Sequence, residues 1–293
     1  MTHFGTSLPG VQQIPSRTRP WERAVGGPEM VAAARAAEEA GFAHVSCSDH
    51  VCVPAAYAGV MGAVWFDAGS TLAFVAGVTS RVRLLPHVVV LPYRHPLVVA
   101  KQYGTLDRLS GGRVVLGVGA GHLKPEFRVL GVDFDGRGRL TDEYLRAIVA
   151  AWEEEVARFT GERVAFADVL VAPRVVQRPR PPIWVGGSSR AAVRRAARLA
   201  DGWIPWDVGP GELAAGVGYA GEVRARARRT GRFEVVAPLA APPEATADAL
   251  LGAVDRWRAA GATAFHVGIG AGCFAEFLDR LAWFGAEVIA RAG

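Results

Sequence analysis

The sequence alternates short β-branched runs, which end in glycine or polar residues, with longer Ala-, Arg- and Leu-rich runs at helical spacing. Because strands alternating with helices are the pattern of βα units, this alternation predicts a parallel sheet covered by helices. Eight strand candidates predict a (β/α)8 TIM barrel, formed as a single domain by residues 1–293. The candidates are residues 3–8, 43–48, 82–90, 113–119, 182–187, 202–206, 234–240 and 264–270.

Helices are predicted between these strands. The first begins near Pro28, which suits a first-turn position, and stops at Gly41, where a left-handed cap needs no side chain. Two longer connections interrupt the alternation, one after strand 2 (51–67) and one before strand 5 (158–181), and both could be lids, interface segments or plain surface loops. The predicted helices are residues 28–40, 96–109, 141–157, 189–200, 211–229, 244–260 and 273–291.

Composition narrows the class of protein. No run approaches the roughly 18 apolar residues of a membrane span, and the N-terminus lacks the pattern of a signal peptide, so a cytoplasmic protein is expected. Cys47, Cys52 and Cys273 match neither a disulfide framework nor a common zinc site, so no metal is predicted. The net charge of +5 comes from scattered arginines, which does not indicate a nucleic-acid partner.

Polar residues follow several predicted strands. The C-terminal ends of the strands meet at one mouth of a parallel barrel, so these residues are expected to converge although they are far apart in sequence. His44 and His3, near strand starts, are interpreted as ordinary residues. The converging set is Asp49, His50, His87, Gly119, Ala120, Gly121, His122, Gly186, Gly187, Ser188, Ser189, Trp206, Asp207 and His266.

Two glycine-rich stretches are candidates for a phosphate site. "GVGAGH" (117–122) fails the dinucleotide fingerprint because His122 stands where the third glycine belongs. In "IWVGGSSR" (183–190) a strand ends in Gly186 and Gly187, and a helix starts after Ser188 and Ser189. Free amides at a helix N-terminus bind anions, so this stretch predicts a phosphate site, with a simple serine cap as the alternative.

The pair Asp49-His50 indicates a role in acid–base catalysis, because histidine titrates near neutrality and a neighbouring carboxylate can orient its ring. His122 is a second candidate for such a role. A structural role of polar residues at a strand end is the alternative for both.

Together these stretches resemble the bacterial luciferase-like flavin oxidoreductases, most closely those that use the deazaflavin coenzyme F420. The resemblance is carried by "GFAHVSCSDHVCVP" (41–54), by the long segment 91–145 that contains "LSGGRVVLGVGAGHLKPEF", and by "RPPIWVGGSSRAAVRRAARLADGWIP" (180–205). It implies a barrel with insertions that holds a flavin or deazaflavin ring at the strand C-termini. The first strand and the C-terminal third are less diagnostic.

The resemblance also implies roles for individual residues. The cofactor phosphate would lie on Gly186, Gly187 and Ser188, and the ring would rest on a bulge in strand 3, often with a non-prolyl cis peptide, near His87 and Val88. The family also implies a homodimer.

His50 would be the proton donor, assisted by Asp49. At the position of His122 many relatives carry Trp, and the sugar-phosphate dehydrogenases among them carry Glu. The resemblance therefore does not imply a sugar-phosphate substrate. His122 could be a second acid, a substrate contact or a residue that only lines the pocket.

The predicted reaction is reversible hydride transfer between F420 and a small unsaturated or carbonyl compound. The alternatives left open are an FMN-dependent monooxygenase, a catalytically silent flavin-binding protein, and a phosphosugar barrel without a flavin. Tyr57, Trp65, Phe66 and Trp206 could line an apolar substrate pocket, or could pack in a lid or dimer contact.

Overall fold

The computed structural model describes residues 2–293, and its central feature is a ring of parallel strands that follow the order of the sequence. The strands are β1 (His3–Ser7), β2 (His44–Cys47), β3 (Arg83–Pro86), β4 (Val89–Val90), β5 (Leu116–Gly119), β6 (Ala157–Thr160), β7 (Ala165–Val169), β8 (Ile183–Gly186), β9 (Gly202–Ile204), β10 (Glu234–Ala241) and β11 (Ala264–Ile269). The last strand, β11, pairs in parallel with the first, β1. Leu84, in β3, exchanges backbone hydrogen bonds of 2.9 and 3.1 Å with Arg113 and Val115, which closes the ring.

The predicted (β/α)8 TIM barrel is therefore confirmed, with β3 and β4 together forming its third strand. The helices are α1 (Gly27–Glu39), α2 (Ala58–Met61), α3 (Ala68–Ala76), α4 (Pro96–Leu109), α5 (Lys124–Val129), α6 (Arg137–Glu153), α7 (Arg190–Leu199), α8 (Pro210–Arg226), α9 (Ala247–Ala259) and α10 (Phe274–Phe284). Within the described residues, no helix is both long and apolar enough to cross a bilayer.

The sequence pattern missed helix α3. Its residues are almost all small or apolar, so no polar face marks a helical period. Its start is fixed by Asp67, whose carboxylate accepts a hydrogen bond of 2.7 Å from the Ser70 amide. The insertion before strand 5 also holds structure that was not predicted, because β6 and β7 pair as an antiparallel hairpin.

Residues 8–26, between β1 and α1, form another long connection. Because it precedes both insertions in the chain, it is called the first connection. It pairs with the end of the insertion that follows β2: the Gln13 amide donates to Val64 O at 3.0 Å, and the Phe66 amide donates to Val11 O at 2.9 Å. Gln12 and Trp65 form an antiparallel bridge between the same segments. Two loops of the barrel mouth are thus held together by backbone hydrogen bonds.

The barrel interior changes from apolar to polar toward its mouth. Because side chains alternate along each strand, Ala264 and His266 of β11 share the inner face, and His266 lies on the C-terminal side. An apolar cluster fills the layer of Ala264, and His266 begins a polar layer above it. The apolar cluster consists of Leu85, Val115, Trp184, Ile204, Val236 and Ala264.

Candidate active site

Three of the predicted strand-end residues, His50, His122 and Trp206, come together at the mouth, with Trp65 beside them. The His50 ring lies edge-on to Trp65, with 4.3 Å between ring centroids, and 5.8 Å from the His122 ring. His122 in turn lies 6.2 Å from Trp206. Segments after β2, β5 and β9 thus converge at the mouth, as the parallel barrel predicted.

His50 is held by Glu126, a residue that the sequence did not indicate. His50 Nδ1 lies 2.6 Å from Glu126 Oε2, and the same oxygen accepts a hydrogen bond of 2.8 Å from the Tyr93 hydroxyl. Oε1 accepts from the amides of Val51 and Cys52 at 2.7 and 3.1 Å. Glu126 is fully buried, and these four contacts satisfy the acceptor positions of its charged carboxylate.

The contacts of Glu126 favour its ionised form. Burial raises the pKa of this carboxyl, but the hydrogen bond and charge of His50, together with the Cys52 amide and Tyr93, outweigh burial and lower the pKa. Burial and the hydrogen bond to Glu126 raise the pKa of the Tyr93 hydroxyl, which stays protonated. The carboxylate fixes the Nδ1 proton of His50, which leaves Nε2 as the second functional nitrogen of the ring.

Asp49 has a different partner from the one predicted. Its two carboxylate oxygens each accept a hydrogen bond of 2.7 Å from Arg94, and Oδ2 also accepts from the Val90 amide at 3.1 Å. The residue is only 4% exposed, and among residues 2–293 the hydrogen-bond partner of His50 is Glu126 rather than Asp49. Asp49 therefore ties the end of β2 to the end of β4.

His87 and Val88 lie where the third barrel strand is interrupted, and the peptide bond between them is cis. The Val88 side chain covers two glycines of neighbouring strands. A methyl group added to Gly119 would come within 2.8 Å of Val88 Cγ2, and one added to Gly186 within 2.9 Å of Val88 Cγ1. Both glycines are thus required by Val88, which forms an apolar platform at the mouth.

Substituting Gly119 with alanine is expected to cost about 1–3 kcal/mol of unfolding free energy, because the new methyl group overpacks against Val88. The added substitution Val88→Ala is expected to restore part of the loss. Urea unfolding of the two single variants and the double variant measures this coupling.

Gly218→Ala is the matched control, since its added methyl group would meet nothing within 4 Å on helix α8. If the double variant is as unstable as the sum of its parts, Val88 is not the obstacle.

Below the platform lies a network of histidines and serines, in which His44 is buried and His87, His266 and Ser7 are half-buried. His266 Nε2 lies 3.0 Å from Ser7 Oγ, and His266 Nδ1 lies 3.2 Å from His44 Nε2. The His87 ring packs edge-on against His266 at 4.5 Å. His44, interpreted from the sequence as ordinary, is therefore an inner residue of the barrel. A methyl group added to Gly5 would overlap its ring.

Burial keeps these imidazoles neutral. It lowers the pKa of His44 to about 3 and that of His87 to about 4, and it lowers the pKa of His266 well below its ordinary value, with smaller contributions from His87 and His44. Within the described part of the chain, no three His, Cys, Asp or Glu side chains are grouped so that they could hold a metal ion.

The neutral histidines predict loss of stability in mild acid. The unfolded chain binds protons at these groups below a pH of about 6.5, whereas the folded chain does not, so unfolding free energy falls as pH drops from about 6.5 toward 4. Each such group contributes a slope of up to about 1.4 kcal/mol per pH unit. Urea unfolding across this range should show a shallower slope for His44→Leu. An unchanged slope would mean that His44 takes up a proton in the folded protein.

The turn between β8 and α7 keeps part of the predicted anion site. The Gly187 amide donates to Ile204 O at 3.1 Å, and Ser189 Oγ accepts from the Ala192 amide at 3.2 Å, so one amide is used by the barrel and one by a serine cap. Ser188 Oγ bonds the backbone of Trp206. Across residues 2–293, the amides of Ser188, Ser189 and Arg190 find no hydrogen-bond acceptor.

The other predicted residues divide between mouth and core. Ala120 and Gly121 lie in the loop after β5, where Gly121 has a φ of +79° and packs between Val90 and Phe127. Phe66 packs against the core.

The remaining aromatic residues lie nearer to solvent. Tyr57 and Trp206 are 41% and 54% exposed. Trp65 Nε1 is buried and has no hydrogen-bond partner in the described residues, beside the ring of His50.

Comparison with known proteins agrees with this architecture. The family model described as luciferase-like monooxygenase matches residues 2–291. The chain is 33% identical over 157 residues to the FMNH2-dependent dimethylsulfone monooxygenase of Pseudomonas putida, a match that covers 52% of this chain and only 42% of that enzyme. It is 36% identical over 222 residues to an uncharacterised protein of Mycobacterium tuberculosis, covering 70% of this chain and 77% of the relative.

Solved structures share the fold over the whole chain. Monooxygenase RslO1 from Streptomyces bottropensis has a TM-score of 0.79 at 22% identity, with complete coverage of both chains. The coenzyme F420 dependent tetrahydromethanopterin reductase from Methanopyrus kandleri has a TM-score of 0.80 at 17% identity, covering 100% of this chain and 99% of the other. At these identities the likeness shows the fold alone.

Proposed function

Because the chain belongs to the luciferase-like monooxygenase family, whose members are oxidoreductases or monooxygenases, we propose that it transfers a hydride between a deazaflavin of the F420 type and a small organic molecule. The observation that carries the proposal is the pair of His50 and Glu126, joined at 2.6 Å at the barrel mouth. A histidine whose Nδ1 proton is fixed by a buried carboxylate is suited to exchange a proton at Nε2.

The residues at the mouth fit a flat cofactor with an anionic tail. Val88 offers an apolar surface over Gly119 and Gly186, where a ring could lie. The unpaired amides of Ser188, Ser189 and Arg190, at the N-terminus of α7, would hold the phosphate. The Gly187 amide takes no part, since Ile204 O accepts its hydrogen bond.

When bound, a deazaflavin supplies or accepts a hydride at its reactive carbon. The task of the protein is then to hold a carbonyl or unsaturated carbon near that position and to manage one proton. His50 would donate this proton from Nε2 to the oxygen or carbon on which charge develops, and it would take the proton back in the reverse direction. Trp65 closes one side of His50, and its unpaired Nε1–H could donate to a substrate oxygen.

His122 and Asp49 have different proposed roles, the first as a substrate contact and the second as a positioning residue. Burial, followed by the nearby His50, lowers the pKa of His122, so it is neutral at physiological pH and could donate or accept a hydrogen bond to the substrate. Asp49 is bound to Arg94, and we assign it the positioning of the strand ends on either side of His50.

A second candidate is an FMN-dependent monooxygenase. It is favoured by the 33% identity to the FMNH2-dependent enzyme of Pseudomonas putida across 52% of this chain. The same His50 and Glu126 would serve that reaction by handling a proton beside the substrate.

Cofactor titration separates the two candidates. Purified protein is titrated in parallel with oxidised F420 and with FMN, and the dissociation constants are read from fluorescence anisotropy of the cofactor. The proposal expects saturable F420 binding that is about tenfold or more tighter than FMN binding, equivalent to about 1.4 kcal/mol. Micromolar FMN binding without F420 binding would contradict it and favour the monooxygenase.

We also propose that the protein forms a homodimer. Exposed apolar side chains on the two insertions support it, namely Val60 at 73% and Leu170 at 71% exposure. Sedimentation velocity at micromolar concentration should give twice the chain mass, and a monomer at all concentrations would contradict it.

A further inference from the structure

Two adjoining cavities of about 340 and 200 Å³ lie between the first connection and the ends of three barrel strands. Their walls share Arg17 and Glu22 from the first connection with Gly268 and Ile269 from β11. The C-terminal ends of the strands form the functional mouth of a barrel. The cavities therefore belong to the same mouth as His50, on the side of β1, β10 and β11.

The wall facing the strands carries two unneutralised arginines. Arg17 and Arg19 line the larger cavity, and in residues 2–293 neither guanidinium has a hydrogen-bond or ion-pair partner. Glu22 also lines both cavities, and its Oε2 accepts a hydrogen bond of 2.7 Å from the Arg19 amide. Two positive charges against one negative charge leave the cavity positive. Arg19 lies against Gly270, where an added methyl group would come within 3.2 Å of its Nη2.

The arginines stand on a segment that is held firmly in place. Trp21, two residues after Arg19, donates from Nε1 to Ala271 O at 3.0 Å. Its ring packs against Phe274 and Phe277 of α10 at 5.9 and 5.5 Å. Arg17 is exposed and Arg19 half-buried, but the anchored backbone that carries them loses little further conformational entropy when an anion binds, which strengthens binding.

A chain of contacts links the cavities to the candidate catalytic histidine. Gln12 lines the smaller cavity, forms the bridge to Trp65, and accepts a hydrogen bond of 3.0 Å from Ser48 Oγ at its side-chain oxygen. Trp65 contacts His50. One pair of residues, Gln12 and Trp65, thus connects the arginine-lined cavity with the ring that would donate a proton.

We propose that Arg17 and Arg19 form a subsite for an organic oxyanion, namely the carboxylate or sulfonate group of the substrate. The inference rests on the proposed function, because it assigns the substrate class of the same barrel mouth. A guanidinium group binds such an oxyanion through two parallel, charge-assisted hydrogen bonds. An uncharged ligand group of the same shape as the oxyanion binds it more weakly. The subsite would hold the charged end of the substrate and leave the other end free to approach His50.

The test uses two small probes of similar shape. Methanesulfonate carries a negative charge, and dimethylsulfone is neutral. Binding of each to the cofactor-free full chain is followed by saturation-transfer NMR on the probe methyl protons, at constant ionic strength. Saturable binding of methanesulfonate is expected, with dimethylsulfone about tenfold or more weaker, as for other charge-assisted hydrogen bonds.

Arginine variants locate the site. R17Q and R19Q are each expected to weaken methanesulfonate binding about tenfold. R23Q is the matched control, because Arg23 is an exposed arginine of the same segment and does not line either cavity. Equal binding of the two probes, or equal loss in R23Q, would overturn the proposal.

Cofactor competition separates a substrate subsite from a cofactor subsite. If saturating F420 or FMN displaces methanesulfonate, the arginines bind the cofactor tail and the substrate assignment is wrong. Undiminished methanesulfonate binding in the presence of the cofactor supports it. Since the probe is read without turnover, failure of this subsite leaves the hydride-transfer proposal intact, and failure of cofactor binding leaves the probe result readable.

Discussion

Replacing His50 with glutamine is expected to lower turnover by about two to four orders of magnitude, the usual contribution of a positioned general acid. Glutamine can still donate a hydrogen bond to Glu126, but it cannot exchange a proton near neutral pH. The assay follows oxidation of the reduced cofactor by the best acceptor found among small carbonyl compounds and enones, with carboxylated members included. The cofactor dissociation constant, measured on the same variant, shows whether the mouth is intact.

The matched control for His50 is His95→Asn. His95 is exposed and caps helix α4 by accepting a hydrogen bond from the Leu97 amide, and asparagine preserves that cap. Its turnover should equal that of the unmodified protein. If the His50 variant keeps more than about a tenth of the original turnover, His50 is not the proton donor and His122 is the next residue to test.

The second large effect is expected from Glu126→Leu, which should lower the unfolding free energy by about 3–5 kcal/mol. Leucine has a similar volume but no acceptor, so it leaves His50, the Tyr93 hydroxyl and two backbone amides without their partner in a buried site. Urea unfolding measures the loss. Glu126→Gln retains one acceptor oxygen and should lose less stability, while its turnover falls because the ring of His50 loses its fixed tautomer.

Glu222→Leu provides the comparison for Glu126. Its carboxylate pairs with Arg226 on the exposed face of α8, where ion pairs contribute about 0–1 kcal/mol. The two substitutions are chemically identical and differ only in burial and number of partners. If both variants unfold at the same urea concentration, Glu126 does not organise the site.

The barrel could be predicted from the sequence because its signal is repeated. Eight strands, all but the second followed by a predicted helix, are evident in a linear chain, and the convergence of His50, His122 and Trp206 follows from the parallel topology. The short helix α3 and the β6–β7 hairpin were not predicted, because neither has a periodic pattern that separates it from a loop.

Glu126 shows why part of the site could not be predicted. In sequence it lies between predicted strand 4 and the helix predicted at 141–157, where helix α5 was not expected, and 76 residues from His50. Only the packing of α5 against the segment after β2 brings its carboxylate onto the imidazole and two amides. The same holds for Arg17 and Arg19, whose importance comes from the strand ends that they face.

The glycines at the mouth have a role in protein packing that the sequence did not reveal. Gly186 suggested a close approach of the backbone to a phosphate, and in the structure the Val88 side chain lies against both Gly186 and Gly119. A glycine signals only that something lies close to the backbone, and a single sequence cannot say whether that is ligand or protein.

The backbone pairing between the first connection and residues 64–66 bears on attempts to retarget the protein toward other compounds. If only the insertion after β2 is replaced by that of another protein, the residue at position 65 loses the matching first connection that pairs with it. Arg17 and Arg19 of the original chain remain in such a hybrid. Both segments would have to be transplanted as one cassette for a hybrid to inherit the donor's selectivity.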